Sequence, residues 1–210
     1  MGIAGIPWWT TDIGGFSGGR PEDKQFQQLL VRWFEWGCFC PVMRLHGDRE
    51  CDDRRVFHAD GSPALFTGGN NEVWSFGEAN EKILTSYIFL RELMRPYTRK
   101  LMEEAHLYGK PVMRPMFYDF PEQDICWDLK EQYMFGSSIL VAPILYEDQN
   151  ERDVYLPSGN KWTLLMNGEV YEGGQTLHVT APIDEIPVFI REGGPDLVDG
   201  WKKIRENHEI

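Results

Sequence analysis

The sequence predicts a mixed fold, an α/β half followed by an all-β half, and three observations set that expectation. Up to Gly109, strand and helix signals alternate. From Pro111 to Arg191, short runs of β-formers recur with a period of two. Turn signals at Pro157-Ser-Gly159, Asn167-Gly168 and Gly173-Gly174 separate those runs, which is the punctuation of an antiparallel β-sandwich.

In chain order, Gly5 to Thr11 reads as a strand, Pro21 to Trp36 as a helix and Cys38 to Met43 as a second strand. The helix has local causes. Pro21 suits a first turn, Glu22 and Asp23 complement the helix dipole, and Phe26, Leu29, Leu30, Trp33 and Phe34 fall on one face before Gly37 stops it. Two strands joined by such a helix make a right-handed βαβ unit. Gly47 to Asn71 is polar and broken by Gly61, Pro63, Gly68 and Gly69, so it reads as a long loop. Asp48, Glu50, Cys51, Asp52, Asp53 and His58 sit within it. The acids alternate with Arg49, Arg54 and Arg55, which favours a salt-bridged loop over a metal site.

Ser75-Phe-Gly-Glu78 has the form of a capping box, and apolar residues from Ile83 to Ala105 recur at helical spacing. One long helix from Glu78 to Tyr108 is expected, kinked at Pro96 and ended by Gly109 and Pro111. Strands are then expected at Val112 to Tyr118, Ile139 to Tyr146, Asp153 to Leu156, Val170 to Tyr171, Thr176 to Val179 and Val188 to Ile190. Pro195 to Ile210 reads as a polar tail with a short helix around Trp201.

Composition narrows the function classes. A chain of 210 residues with 42% hydrophobic residues can bury a real core. Its net charge of −12, without a basic patch or run, argues against nucleic acid and anionic membrane as partners. No apolar stretch approaches a membrane span, and no signal peptide is visible. Cys38, Cys40, Cys51 and Cys126 lack zinc spacing and read as buried thiols, which leans towards a reducing, cytoplasmic setting.

Two runs carry the chemistry: Gly5-Ile-Pro-Trp-Trp-Thr-Thr-Asp12-Ile-Gly-Gly-Phe16 and Cys40-Pro-Val-Met-Arg44-Leu-His46-Gly. They place polar groups at two expected strand ends flanked by aromatics, as a sugar pocket does, and Gly14 and Gly15 let the backbone turn sharply after Asp12. Read singly, an isolated Asp12 is better taken as an N-cap and an isolated His46 as a satisfied loop histidine. Trp8 and Trp9 would point to opposite faces of their strand, so at most one could meet a sugar.

The whole pattern resembles glycoside hydrolase family 31, whose retaining α-glycosidases carry a similar Trp-x-x-Asp-Ile-Gly-Gly-Phe strand and a downstream Arg-x-His. The likeness continues through Arg32-Trp33, Arg95-Pro96-Tyr97, Gly109-Lys-Pro-Val-Met-Arg114-Pro, Gln132-Tyr-Met-Phe-Gly136, Leu140-Val-Ala-Pro143 and Pro187-Val-Phe-Ile-Arg-Glu-Gly193. The resemblance implies the C-terminal part of a (β/α)8 TIM barrel over residues 1–110, an antiparallel β-sandwich over 111–194 and a polar tail over 195–210. It implies hydrolysis of terminal α-glucosides or α-xylosides with retention, with an α-glycoside carbohydrate as partner and no metal or organic cofactor. Family members carry the nucleophile and the acid/base carboxylate on earlier barrel strands, so both are expected upstream of Met1. The substrate-binding residues would be Asp12, Phe16, Arg44 and His46. In that scheme His46 donates to a sugar hydroxyl, Phe16 lines the same subsite, Asp12 orients neighbouring charges or the sugar, and Arg44 supports the loop and the carboxylates. The parent enzyme could form an oligomer. The alternative from another class is a non-catalytic carbohydrate-binding or interaction module.

Overall fold

The computed structural model describes every residue except 52–54 and 67. Helix α1 spans Lys24–Cys38 and starts three residues later than the expected Pro21, because the Asp23 carboxylate caps it by accepting from the Gln25 amide at 3.0 Å. It buries Phe26, Leu30, Val31, Phe34 and Cys38. Leu29, expected on that face, is half exposed. Gly37 does not stop the helix. A Cβ there would stand 2.7 Å from the Ile13 side chain, so the glycine lets the preceding segment lie close against the helix.

The strands expected at Gly5 to Thr11 and Cys38 to Met43 do not form. Gly2–Ala4 is a 3₁₀ turn, Cys38 belongs to α1, and residues 39–42 form a turn. Pro7 and Pro41 have no N–H to give a ladder. The two segments nevertheless run parallel, touching at the bridges Ile13↔Leu45 and Ser17↔Asp48.

The expected loop from Gly47 to Asn71 contains a short antiparallel hairpin, β1 (Arg55–Phe57) with β2 (Pro63–Phe66). Its turn has a sequence cause: Asp60 accepts from the Ser62 amide at 2.9 Å and hydroxyl at 2.6 Å, and Gly61 takes φ 84°. Asp52, Asp53 and Arg54 lie outside the described residues. Asp48 accepts from the Gly68 amide at 2.7 Å. Among the described residues, no cluster of three or more His, Cys, Asp or Glu side chains is placed to hold a metal.

The long helix is two helices, α2 (Glu78–Leu93) and α3 (Arg95–Tyr108), broken at Met94 with Pro96 in the first turn of α3. Gly109 ends α3 at φ 66°, as expected. The capping box does not form: Ser75 donates to Glu72 at 3.0 Å within a 3₁₀ turn (Val73–Phe76), and Gly77 occupies the N-cap. No helix among the described residues is long and apolar enough to cross a membrane.

The β-rich part begins with β3 (Met113–Pro115), where the expected longer strand gives way to two one-turn helices, α4 (Met116–Asp119) and α5 (Ile125–Asp128). Strands β4 (Tyr133–Phe135), β5 (Ile139–Val141), β6 (Glu151–Leu156), β7 (Lys161–Leu164), β8 (Val170–Glu172), β9 (Gln175–Thr180) and β10 (Val188–Arg191) follow. Six of them form an antiparallel sheet in the order β3-β4-β5-β10-β7-β8, and β6 pairs only with β9 in a separate antiparallel ribbon. Both faces of the large sheet are covered. Ile139, Val141, Val188 and Ile190 join one apolar cluster with α1, α2, α3 and the last helix, α6 (Val198–His208). Leu140, Trp162, Leu164 and Phe189 join a second cluster with α4, α5 and the ribbon. The expected polar tail is therefore docked: Trp201 is 1% exposed, its ring 5.2 Å from Tyr87 on α2. Burial of one such side chain stabilises by about 1.5–3 kcal/mol. Cys38, Cys40 and Cys126 are buried as expected, whereas Cys51 is partly exposed.

A charged knot ties α1, α2 and α6 to the strand region. Arg32 meets Glu35 at 3.2 Å and donates to the carbonyls of Pro182, Glu185, Ala181 and Gln149, while Arg205 holds Asp184 at 2.6 Å and Glu185 at 2.9 Å. The Tyr87 hydroxyl donates to the Asp184 carbonyl at 3.1 Å. Burial pushes Glu35 up to about 8 although Arg32 pulls it back, and burial likewise pushes Glu185 up to about 7. Unfolded glutamate releases its proton near 4.5. Between that value and about 8 the folded chain binds more protons than the unfolded one, so stability falls as pH rises through that window. Thermal melts from pH 5 to pH 8.5 should show a midpoint that declines with pH, each kcal/mol moving it by about 2–4 °C, and E35Q should flatten much of the slope.

Candidate functional site

The site is built on the two parallel segments that pass over α1. Backbone bonds join them at Val42 N to Trp9 O (3.3 Å), Ile13 N to Arg44 O (3.2 Å), Asp48 N to Phe16 O (2.8 Å) and Glu50 N to Gly19 O (3.0 Å). The Thr10 hydroxyl adds a bond to Val42 O at 2.8 Å. Ile13, with no exposed surface, anchors the first segment against Gly37. Leu45 pairs with Ile13 and packs on the same core, so its neighbours Arg44 and His46 project the other way, since alternate residues of an extended chain share a side.

The structure brings the four sequence-predicted residues together as two couples. The Arg44 guanidinium donates to the Asp12 carboxylate across the segments. One step further along, the rings of Phe16 and His46 lie 5.7 Å apart at 45°. Phe16 is 66% exposed, and Arg44 and His46 are also exposed, so this edge faces solvent with an ion pair beside an aromatic pair. A carboxylate, a guanidinium, an imidazole and a flat ring are the groups that bind sugar hydroxyls and the apolar face of a pyranose. Trp8 is exposed, while Trp9 packs against Trp36 at 6.1 Å.

Two arginines that the sequence did not single out hold this edge in place. Arg91 of α2 donates to the carbonyls of Cys38 at 2.7 Å, Cys40 at 2.8 Å and Pro41 at 2.8 Å, fixing the turn from which Arg44 and His46 emerge. The Tyr133 hydroxyl takes the remaining Phe39 carbonyl at 3.0 Å. Arg49, expected to pair with acids of its loop, is instead fully buried and donates to carbonyls of the Ile13–Gly18 turn. Neither stood out in the sequence: Arg91 lies within the helical run of α2, and Arg49 lies among the alternating charges that follow Gly47. An apolar groove between α1 and residues 143–147, lined by Phe26, Leu29, Trp33, Trp36 and Leu145, includes none of the four predicted residues.

Comparison with known proteins identifies the family of the chain. The family model described as "Glycosyl hydrolases family 31 TIM-barrel domain" matches residues 1–101, and "Glycosyl hydrolase family 31 C-terminal domain" matches residues 109–194. The chain belongs to glycosyl hydrolase family 31. Among curated relatives, an alpha-xylosidase of Saccharolobus solfataricus is 38% identical over 91% of this chain and 24% of its own length. Alpha-glucosidase 2 of Bacillus thermoamyloliquefaciens is 33% identical over 98% of this chain and 23% of its own. Among solved structures, a family 31 alpha-xylosidase from a soil metagenome, complexed with xylose, superposes with a TM-score of 0.85 at 51% identity, covering 96% of this chain and 30% of that one. A Flavobacterium johnsoniae dextranase complexed with isomaltotriose gives a TM-score of 0.77 at 33% identity over 92% of this chain and 22% of that one. The chain thus spans about a quarter of the length of the curated relatives.

Because Arg91 satisfies three carbonyls that no helix or strand bond reaches, Arg91→Met should lower stability by about 2–4 kcal/mol, as read by urea denaturation.

Proposed function

We propose that this chain forms the C-terminal portion of a retaining α-glycosidase and supplies part of the wall of its sugar pocket. Residues 1–110 would be the last strand-helix units of the (β/α)8 barrel, 111–194 the β-sandwich that follows and 195–210 its closing segment. The observation that carries the proposal is the parallel run of residues 9–17 beside 42–48, which gathers Asp12, Arg44, Phe16 and His46 at one edge. In a (β/α)8 barrel such residues fall at the C-terminal ends of parallel strands, where active sites lie.

Retention needs two carboxyl groups about 5–5.5 Å apart, one as nucleophile and one as acid/base. Asp12 is engaged by Arg44, which suits an orienting role better than attack on an anomeric carbon. The nucleophile and the acid/base therefore come from elsewhere in the barrel. His46 donates to a hydroxyl of the sugar being cleaved, and Phe16 offers its ring to the same subsite. Such bonds accelerate the reaction to the extent that they strengthen as the ring flattens towards an oxocarbenium ion. The α-xylosidases among the relatives favour an α-xyloside as substrate, with α-glucosides next.

The chain alone should not hydrolyse p-nitrophenyl α-xyloside or α-glucoside; turnover near about 1 per second would overturn the division of labour proposed here. In the same preparation, D-xylose should shift the NMR signals of Phe16 and His46 and leave those of β10 unchanged. Absence of any shift with xylose or glucose would remove the pocket-wall role.

A further inference from the structure

We infer that Arg49 is a positioning residue that sets Phe16 against His46 by filling a socket made of glycines, a role that rests on the pocket-wall assignment above. The problem it solves is visible in the chain. Phe16 stands between Gly14-Gly15 and Gly18-Gly19, with most of its ring exposed, so neither backbone stiffness nor packing fixes it. Order has to come from inside the turn.

Arg49 provides it with all three nitrogens. Nη1 donates to Gly14 O at 3.0 Å and Gly18 O at 2.6 Å, Nη2 to Gly15 O at 2.7 Å and Ile13 O at 3.4 Å, and Nε to Asn71 Oδ1 at 2.9 Å. Asn71 in turn donates to Gly47 O at 3.2 Å, directly after His46. The guanidinium also lies 5.0 Å from the centre of the Phe26 ring on α1. The residues either side of Arg49 complete the grip, Asp48 N on Phe16 O at 2.8 Å and Glu50 N on Gly19 O at 3.0 Å. One side chain thus spans both parallel segments and the helix beneath them.

The glycines are spaced for it. A Cβ on Gly47 would stand 2.3 Å from Arg49 Nη2, and one on Gly14 3.2 Å from the same atom. Burial lowers the Arg49 pKa from the usual arginine value and the nearby Asp48 raises it, while the carbonyls replace the lost water. Lysine would keep the charge but lacks the planar fork that reaches several carbonyls at once.

The test uses the full chain labelled for NMR, as wild type, R49K, R49A and N71A. Wild type should show a cross-peak between the Phe16 and His46 rings. In R49K that cross-peak should vanish and exchange of the Gly15 and Asp48 amides should accelerate by about 100-fold, with β10 amides unchanged. Guanidinium ion at millimolar concentration should restore the contact in R49A. An intact cross-peak with unaltered exchange in R49K would overturn the proposal. Should R49K melt the whole chain, N71A decides: faster Gly15 exchange with β10 protected supports the role, and unchanged exchange overturns it. Xylose titration separates the two ideas. Wild type that keeps the ring contact yet ignores xylose overturns the pocket wall and leaves the positioning role standing, whereas R49K that loses the contact yet binds xylose as wild type does overturns the positioning of a sugar-binding pair.

Discussion

Backbone carbonyls that leave helix and sheet inside a fold still need donors, and guanidinium groups meet that need at three points on which the candidate site depends. Arg91 gathers the turn after α1, Arg49 gathers the glycine turn opposite, and Arg32 ties α1 itself to the chain between β9 and β10. Each serves several acceptors at once, which a helix or a ladder would do only by regular repetition. Irregular chain can therefore be held at the solvent-facing edge without a regular strand there. Asp12, Phe16, Arg44 and His46 are displayed by segments whose rigidity is borrowed from arginines behind them.

The two halves expected from sequence solve one packing problem together. A single apolar cluster runs from Ile13 and Phe34 through Leu84 and Leu90 to Val112, Phe135, Val188 and Trp201. The six-stranded sheet is therefore buried on its helical face as well as on the face towards the ribbon. The site edge rests on α1, and α1 shares one apolar cluster with α2 and the sheet, so a disturbance of the β-rich part has a packed route to the candidate site residues.

Much of this was legible. Local signals gave α1, the break near Pro96, the Gly109 stop, the Asn167-Gly168 turn and most of β6, β8, β9 and β10, because each depends on residues close in sequence. Strands β4 and β7 were missed, being three and four residues long and recognisable only through partners distant in the chain. The same cause acted in reverse at Gly5 to Thr11 and Cys38 to Met43, where β-formers found too few ladder partners. Asp12, Phe16, Arg44 and His46 stood out through the family resemblance of the two runs that carry them, a pattern of side-chain types that the sequence displays directly. Arg49 did not, because its partners are carbonyls, which every residue has. Gly37 misled for a related reason: a glycine that admits a neighbour reads like a glycine that ends a helix.

The thiols beneath the site carry a consequence for the chemistry this chain can survive. Burial drives Cys38 and Cys40 up to about 12. At neutral pH the reactive thiolate is then rarer than about one molecule in a thousand, on top of the steric barrier of the core. Peroxide, alkylating reagents and disulfide exchange all require that thiolate at the surface. The two thiols around the turn that Arg91 secures are thus held in the unreactive form and shielded from such reagents.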